Sequence, residues 1–184
     1  GLRWKVLRIA ILSWRTSDGV FQKNIYANAF YGRIKSFVKL DAISKDILDQ
    51  KIEFTPVDEC AKAIVLLAKT SEYDNKIFHL YNHNLIPLKN VVKVLNEYNY
   101  NIKILSEEAF RNRILEYSKN MNDNISAIVN DFNTTNLSLD YNFSVNIKSD
   151  FSQRILSQLG FNWRNIDNAY LRTIITYMRD IKFI

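Results

Sequence analysis

Apolar and polar positions fall in blocks along this chain, and the blocks predict strands alternating with helices. Residues 4–13, WKVLRIAILS, form an almost unbroken aliphatic run, which predicts an interior strand of a sheet covered on both faces. A polar loop at 14–19 closes on an Asp-Gly turn, and a helix is expected from about Asn24 to Leu40. Residues 41–50 read as a polar connection. Residues 52–55 alternate as a short strand, Pro56 cannot donate to a ladder, and Asp58 can cap the helix that follows. From Cys60 to Ala68 only Lys62 is charged, and a helix apolar on nearly every side is a buried one. Residues 76–82 alternate again and lead to Pro87, which fits the first position of a helix ending near Tyr98; residues 99–105 make one more edge strand.

The remainder is helical by periodicity, over 107–119, 124–132, 150–159 and 166–181. Phe151, Ile155 and Leu159 share one stripe; Tyr170, Ile174, Tyr177, Met178 and Ile181 share another, and Gly160 is a good stop between them. The Asn-rich stretch 130–146 reads as a mobile loop, and there is no internal repeat. Strand–helix alternation of this kind is that of a layered α/β protein rather than a bundle.

Composition narrows the picture. With 184 residues, 47% hydrophobic and 24% charged, the chain can bury a real core as one domain or one and a half. No run reaches the roughly 18 to 20 apolar residues of a membrane span, and the first residues form no secretory core, so no membrane association is expected. A single cysteine excludes an internal disulfide and points to a reducing, cytoplasmic setting; Cys60 itself reads as an inert thiol inside an apolar helix. The net charge of +6 suits an acidic partner, but the cations are scattered and form no basic stripe, so nucleic acid is not expected as one.

The chemistry-bearing patterns are few. In open α/β sheets ligands sit beyond the carboxyl ends of the strands, which places Arg15, Asp18, Gln22 and Asn24 nearest a pocket; Asp18 and Asn24 also fit plain turn and capping roles. Four glycines, at 1, 19, 32 and 160, cannot supply the clustered glycines of a dinucleotide or phosphate loop. His79 and His83 are four apart across a strand end, with no further ligand nearby, so no metal site is expected. Gly-x-Ser-x-Gly is absent. Tyr31 and Lys35 have the Tyr-x-x-x-Lys spacing that puts a phenol and an ammonium on one helix face, and equally that of two ordinary positions on an amphipathic helix.

Taken together, Leu7-Arg8-Ile9, Arg15 with Asp18 to Asn24, Asn28-Ala29-Phe30, Glu53 to Asp58, Cys60 to Ile64 and Ile77 to Asn82 carry a resemblance to the thioester reductase family. These are extended short-chain dehydrogenase/reductases at the C-terminus of nonribosomal peptide synthetases, related to aminoadipate and carboxylic acid reductases. Asp150-Phe151-Ser152, Gln158 to Phe161 and Trp163 resemble the end of such a protein. The resemblance implies the C-terminal portion of a Rossmann-like α/β fold over residues 1–105, with a mostly helical substrate- and carrier-binding subdomain over 106–184. It implies NADP(H) as cofactor of the parent protein, with the glycine-rich loop and the catalytic Tyr and Lys upstream of this chain, which alone would be inactive and would hold no cofactor tightly.

The parent reaction would reduce a carrier-bound thioester to an aldehyde or alcohol, and the partners would be a phosphopantetheinylated carrier protein and the rest of the reductase. One departure is that Ala10-Ile11 stands where the family has Gly-Asn, so Ile11 cannot make an asparagine's hydrogen bonds there. Among the cations Lys148, Arg154, Arg164, Arg172 and Arg179, the pair Arg154 and Arg172 is the expected docking site for an acidic carrier. Strand 6–12, lacking its parental neighbours, should show an open edge or an apolar patch. A docking module without chemistry, and the substrate half of another extended reductase such as a nucleotide-sugar epimerase, are the other readings.

Overall fold

A computed structural model of the chain describes residues 1–22, 24–120 and 148–184. The expected helix at 124–132 and the Asn-rich stretch fall outside them. In chain order the strands are β1 (Lys5–Ile9), β2 (Leu12–Ser13), β3 (Ala42–Ser44), β4 (Lys51–Ile52), β5 (Thr55–Pro56), β6 (Lys76–Leu80), β7 (Ile86–Pro87) and β8 (Lys103–Leu105). The helices are α1 (Ala29–Leu40), α2 (Val57–Lys69), α3 (Leu88–Glu97), α4 (Glu107–Asn120), α5 (Asp150–Gln158) and α6 (Asn168–Asp180). The described residues fall into two compact units that interleave along the chain: one holds 1–21, 52–86 and 148–174, the other 22, 24–51, 87–120 and 175–184.

In the first unit β1 runs parallel to β6, with Val6 opposite Ile77 and Leu7 opposite Phe78, and β2 runs parallel to β5. Paired residues of a parallel ladder point to the same face. One face therefore carries Leu7, Phe78 and Leu80, which pack with Cys60, Ala63 and Leu67 of α2 and Ile155 and Leu156 of α5. Each fully buried Leu or Phe of this kind contributes roughly 1.5–3 kcal/mol. The opposite face carries Val6 and Ile77, which remain 42% and 43% exposed. The interior strand read from residues 4–13 is thus covered on one face only, and it breaks between Ile9 and Leu12. The same holds for α2: Cys60, Ala63 and Leu67 face the core while Val65 is exposed, because no second layer of described residues covers its outer side.

In the second unit α1 begins at Ala29, not Asn24, because Asn28 caps it by accepting the N–H of Phe30 at 3.1 Å. Residues 25–27 form a separate 3-10 turn. Ile34, Phe37 and Leu40 of α1 pack with Phe110 and Ile114 of α4 in this unit's core, the Phe37 and Phe110 rings 6.4 Å apart. Residues 42–44, expected as part of a polar connection, are the wholly buried strand β3, parallel to β8. Strand β8 is shorter than the 99–105 run because Asn99 and Asn101 adopt left-handed backbone; Asn96 bridges that turn, accepting from Ile102 N–H at 2.7 Å and donating to its carbonyl at 3.2 Å. Among the described residues no helix is long and apolar enough to cross a membrane.

Candidate functional site

Parallel pairing in the first unit brings strand carboxyl ends together, and the loops that leave them are tied by side chains. After β2, Arg15 N–H donates to the Val20 carbonyl and Gly19 N–H to the Arg15 carbonyl, both at 3.0 Å. The Arg15 guanidinium grips Asp18 at 2.5 and 2.9 Å, and Asp18 also accepts the Val20 N–H at 3.0 Å. Arg15, followed by the Val20 N–H, holds the Asp18 carboxyl below its ordinary range. These two residues, expected near a pocket, are exposed and spend their polar groups on each other.

Asp58 anchors the same loop. It accepts both the N–H of Thr16 at 3.1 Å and its hydroxyl at 2.6 Å. Burial pushes the Asp58 carboxyl up, but the Thr16 hydroxyl and N–H outweigh it and the group ends lowered. Asp58 is not the cap expected from the sequence: the N-cap position of α2 is Pro56, without a side-chain cap hydrogen bond, and Asp58 lies in the first turn with its carboxylate tied to Thr16. Farther along, the Tyr170 hydroxyl donates to the Trp14 carbonyl at 2.7 Å and lies 2.8 Å from the Ser13 hydroxyl. Burial drives this phenol far up, against the hydrogen bond of Ser13, so it stays neutral.

A second set of bonds ties the end of β6 to residues 163–164. Fully buried Asn82 donates its N–H to the Thr55 hydroxyl at 2.8 Å and its amide to the Arg164 carbonyl at 3.1 Å. Asn84 donates to the Trp163 and Arg164 carbonyls at 3.0 and 3.1 Å, and Arg164 N–H donates to Glu59 at 3.2 Å. The Arg164 guanidinium lies 5.5 Å from the Tyr170 ring centre. Thr55 hydrogen-bonds Glu53 at 2.5 Å, and burial raises both Glu53 and Glu59. The Cys60 thiol is pushed up by burial to about 11, so it is no nucleophile near neutral pH. This network fixes loops and positions no acid–base pair on an open surface.

Beside it lies a cleft of about 340 Å³, floored by Leu156, Phe161 and Trp163, with His83, Gln153, Arg154 and Asn162 among its rim residues. Arg154 is therefore at a cleft mouth, 5.8 Å over the Phe151 ring, while Arg172 is exposed on α6. In the other unit, Gln22 donates to the Asn24 carbonyl at 3.3 Å, and Asn24 precedes the 3-10 turn without a side-chain cap. Tyr31 is fully buried, its ring 5.3 Å from that of Phe30, and Lys35 sits 5.2 Å over Tyr26 and 4.7 Å over Phe183. The phenol is thus closed off from substrate in the core, and the ammonium rests against aromatic faces. His79 lies within β6 and His83 on the cleft rim, and no three His, Cys, Asp or Glu side chains gather at one point among the described residues.

The loop after β2 does not make the glycine-rich cradle that a pyrophosphate needs. The loop after β2 has a single glycine, Gly19, whose φ is +69° and whose Cα faces Thr173 so closely that a Cβ would meet its backbone oxygen at 2.9 Å. Helix backbone, not a pyrophosphate, occupies that approach.

Thr16, Asn82, Asn84, Glu59 and Tyr170 were not singled out for polar roles by the sequence. Asn82 and Asn84 carried a signal, since Asn-x-Asn after a strand is turn chemistry. Tyr170 carried none, because its stripe marks it as core and its acceptor is 156 residues away.

Neither a family model nor a curated protein matches the sequence. Solved structures do. The thiolation-reductase di-domain of an archaeal nonribosomal peptide synthetase is 35% identical over 97% of this chain, with a TM-score of 0.82. The terminal R domain of the myxalamid polyketide–peptide synthetase pathway matches 100% of it at 16% identity and TM-score 0.82. The reductase domain of a Mycobacterium tuberculosis nonribosomal peptide synthetase matches 98% at 14% identity and TM-score 0.71. The chain spans 36% to 46% of the length of these structures.

Proposed function

We infer that this chain, whose fold is that of the terminal reductase domains of peptide synthetases, is the C-terminal, substrate-side part of an NADPH-dependent thioester reductase. The complete protein releases a carrier-bound peptidyl or acyl thioester as an aldehyde or alcohol. The supporting observation is 35% identity sustained over 97% of the chain, at a TM-score of 0.82, with a structure described as a thiolation-reductase di-domain.

On this reading Arg15, Asp18, Gln22 and Asn24 are substrate-binding residues, and Arg154 and Arg172 receive the carrier. NADP(H) is held by residues outside this chain, and no residue here is assigned a step of the hydride transfer.

The test compares the 184-residue chain with the full-length reductase, each offered NADPH and a carrier-bound thioester. The full chain should consume NADPH and release aldehyde or alcohol. The 184-residue chain should show neither turnover nor micromolar NADPH affinity. Micromolar affinity in the short chain, lost on Tyr31→Phe, would overturn both the assignment and the structural role given to Tyr31, while a full chain inert toward every carrier thioester would sink the reductase reading.

A further inference from the structure

In the second unit a cavity of about 550 Å³ lies where α1 and α3 end and β3 and β8 begin, and none of its lining residues has a part in the proposed function. Three of those residues hold left-handed backbone: Asp41 at φ 49°, Asn99 at 66° and Asn101 at 53°. Charges of both signs line it as well. Asp41 is the C-cap of α1, and Lys103 stands opposite Ala42 on β8, its N–H donating to the Asp41 carbonyl at 2.9 Å. Their backbones touch, yet among the described residues the Asp41 carboxylate and the Lys103 ammonium pair neither with each other nor with any other side chain. Arg113 of α4 is fixed beside them, its Nε donating to the Leu40 carbonyl at 3.0 Å, with Glu116 no nearer than 3.8 Å. Val38, Ala42 and Leu105 supply apolar lining.

Each charge selects a different group. Asp41 sits at a helix C-terminus, the negative end of the helix dipole, so carboxylate and dipole together suit an ammonium. Lys103 and Arg113 suit a carboxylate, the guanidinium offering a planar fork of donors. A plain anion would meet Asp41 and the negative helix end, and a plain amine would meet two cations. A molecule carrying both groups satisfies both walls, and the apolar lining suits an aliphatic body. We propose that this cavity binds a free α-amino acid with an aliphatic side chain, its ammonium on Asp41 and its carboxylate on Lys103 and Arg113. The site stands apart from the reductase reading and does not depend on it.

Calorimetric titration of the 184-residue chain with L-leucine tests this, beside L-leucinamide, which lacks the carboxylate, and 4-methylpentanoate, which lacks the ammonium. Leucine should bind with a Kd of about 1 mM or tighter, and each analogue at least about tenfold more weakly. Asp41→Asn and Lys103→Gln should each weaken leucine binding about tenfold or more. Asparagine accepts left-handed backbone, so Asp41→Asn should move the Tm by less than about 2 °C. Asp49→Asn and Lys93→Gln, which change the net charge equally but lie outside the cavity lining, should leave binding as it was. No saturable binding of leucine would overturn the proposal. So would 4-methylpentanoate binding as tightly as leucine, which would make this a simple anion site, or leucinamide doing so, which would make it a cation site. Those comparisons use the unaltered chain and decide the matter even where a variant fails to fold. Leucine affinity unchanged in folded Asp41→Asn and Lys103→Gln proteins would overturn it too.

Discussion

Gly19 and Gly160 both have positive φ, yet they are different constraints. At Gly160, φ +79°, an added Cβ would meet nothing within 4 Å; at Gly19, φ +69°, it would fall 2.5 Å from Thr173 Cγ2 and 2.9 Å from the Thr173 carbonyl oxygen. The threonine methyl can turn aside, but helix backbone cannot. Gly160→Ala should therefore cost only the left-handed penalty of about 1 kcal/mol. Gly19→Ala should cost about 3 kcal/mol or more, as strain and overpacking add. Urea unfolding of the two variants checks this, and equal midpoints would show that the close approach to Thr173 is not a constraint. The sequence marked both positions as turn or stop residues, because glycine after Asp or at a helix end is a local signal. It could not separate them, since Thr173 is far along the chain.

At the scale of elements, what was legible is what repeats locally. The run at 4–13, the alternation at 76–82 and the stripes of α5 and α6 predicted real strands and helices to within a few residues. Missed were features whose reason is tertiary. Strand β3 is three residues long, too short for a period, and is recognisable only because Ala42, Ile43 and Ser44 are wholly buried. Where the chain passes from one compact unit to the other leaves no mark in periodicity either. The polar ties of the loop after β2 belong with these. Tyr170 reaches the Trp14 carbonyl and Ser13 from α6, so removing its hydroxyl takes a hydrogen bond from each of two buried groups. Tyr170→Phe should cost roughly 1–3 kcal/mol and speed hydrogen exchange at Arg15, Gly19 and Val20. Ser13→Ala should cost less, because the phenol keeps its bond to Trp14. If the two variants are equally mild and the loop amides are unmoved, Tyr170 is only a core side chain and the loop is held by Asp58 and its own Arg15–Asp18 pair.

For the whole molecule, the proposed function raises the question of how a basic chain would meet an acidic carrier. Of the site residues read from sequence, Arg15 and Asp18 turn out to be satisfied by each other, which leaves exposed cations as the groups able to act at a distance. Arg154 stands at the mouth of a cleft with an apolar floor, and Arg172 is exposed on α6 within the same unit. An exposed ion pair is worth little by itself, about 0–1 kcal/mol. A net charge of +6 would act differently, by raising the rate of encounter with an acidic helix, an effect that salt screens beyond roughly 8 Å at physiological ionic strength. In the full-length reductase, Arg154→Glu with Arg172→Glu should therefore raise the apparent KM for carrier-bound thioester about tenfold, most strongly at low salt, and leave kcat nearly unchanged. A small free thioester mimic, which needs no docking, should be reduced as before. A change shared by both substrates would place these arginines in the reaction path or the fold, and no change in either would remove them from carrier recognition.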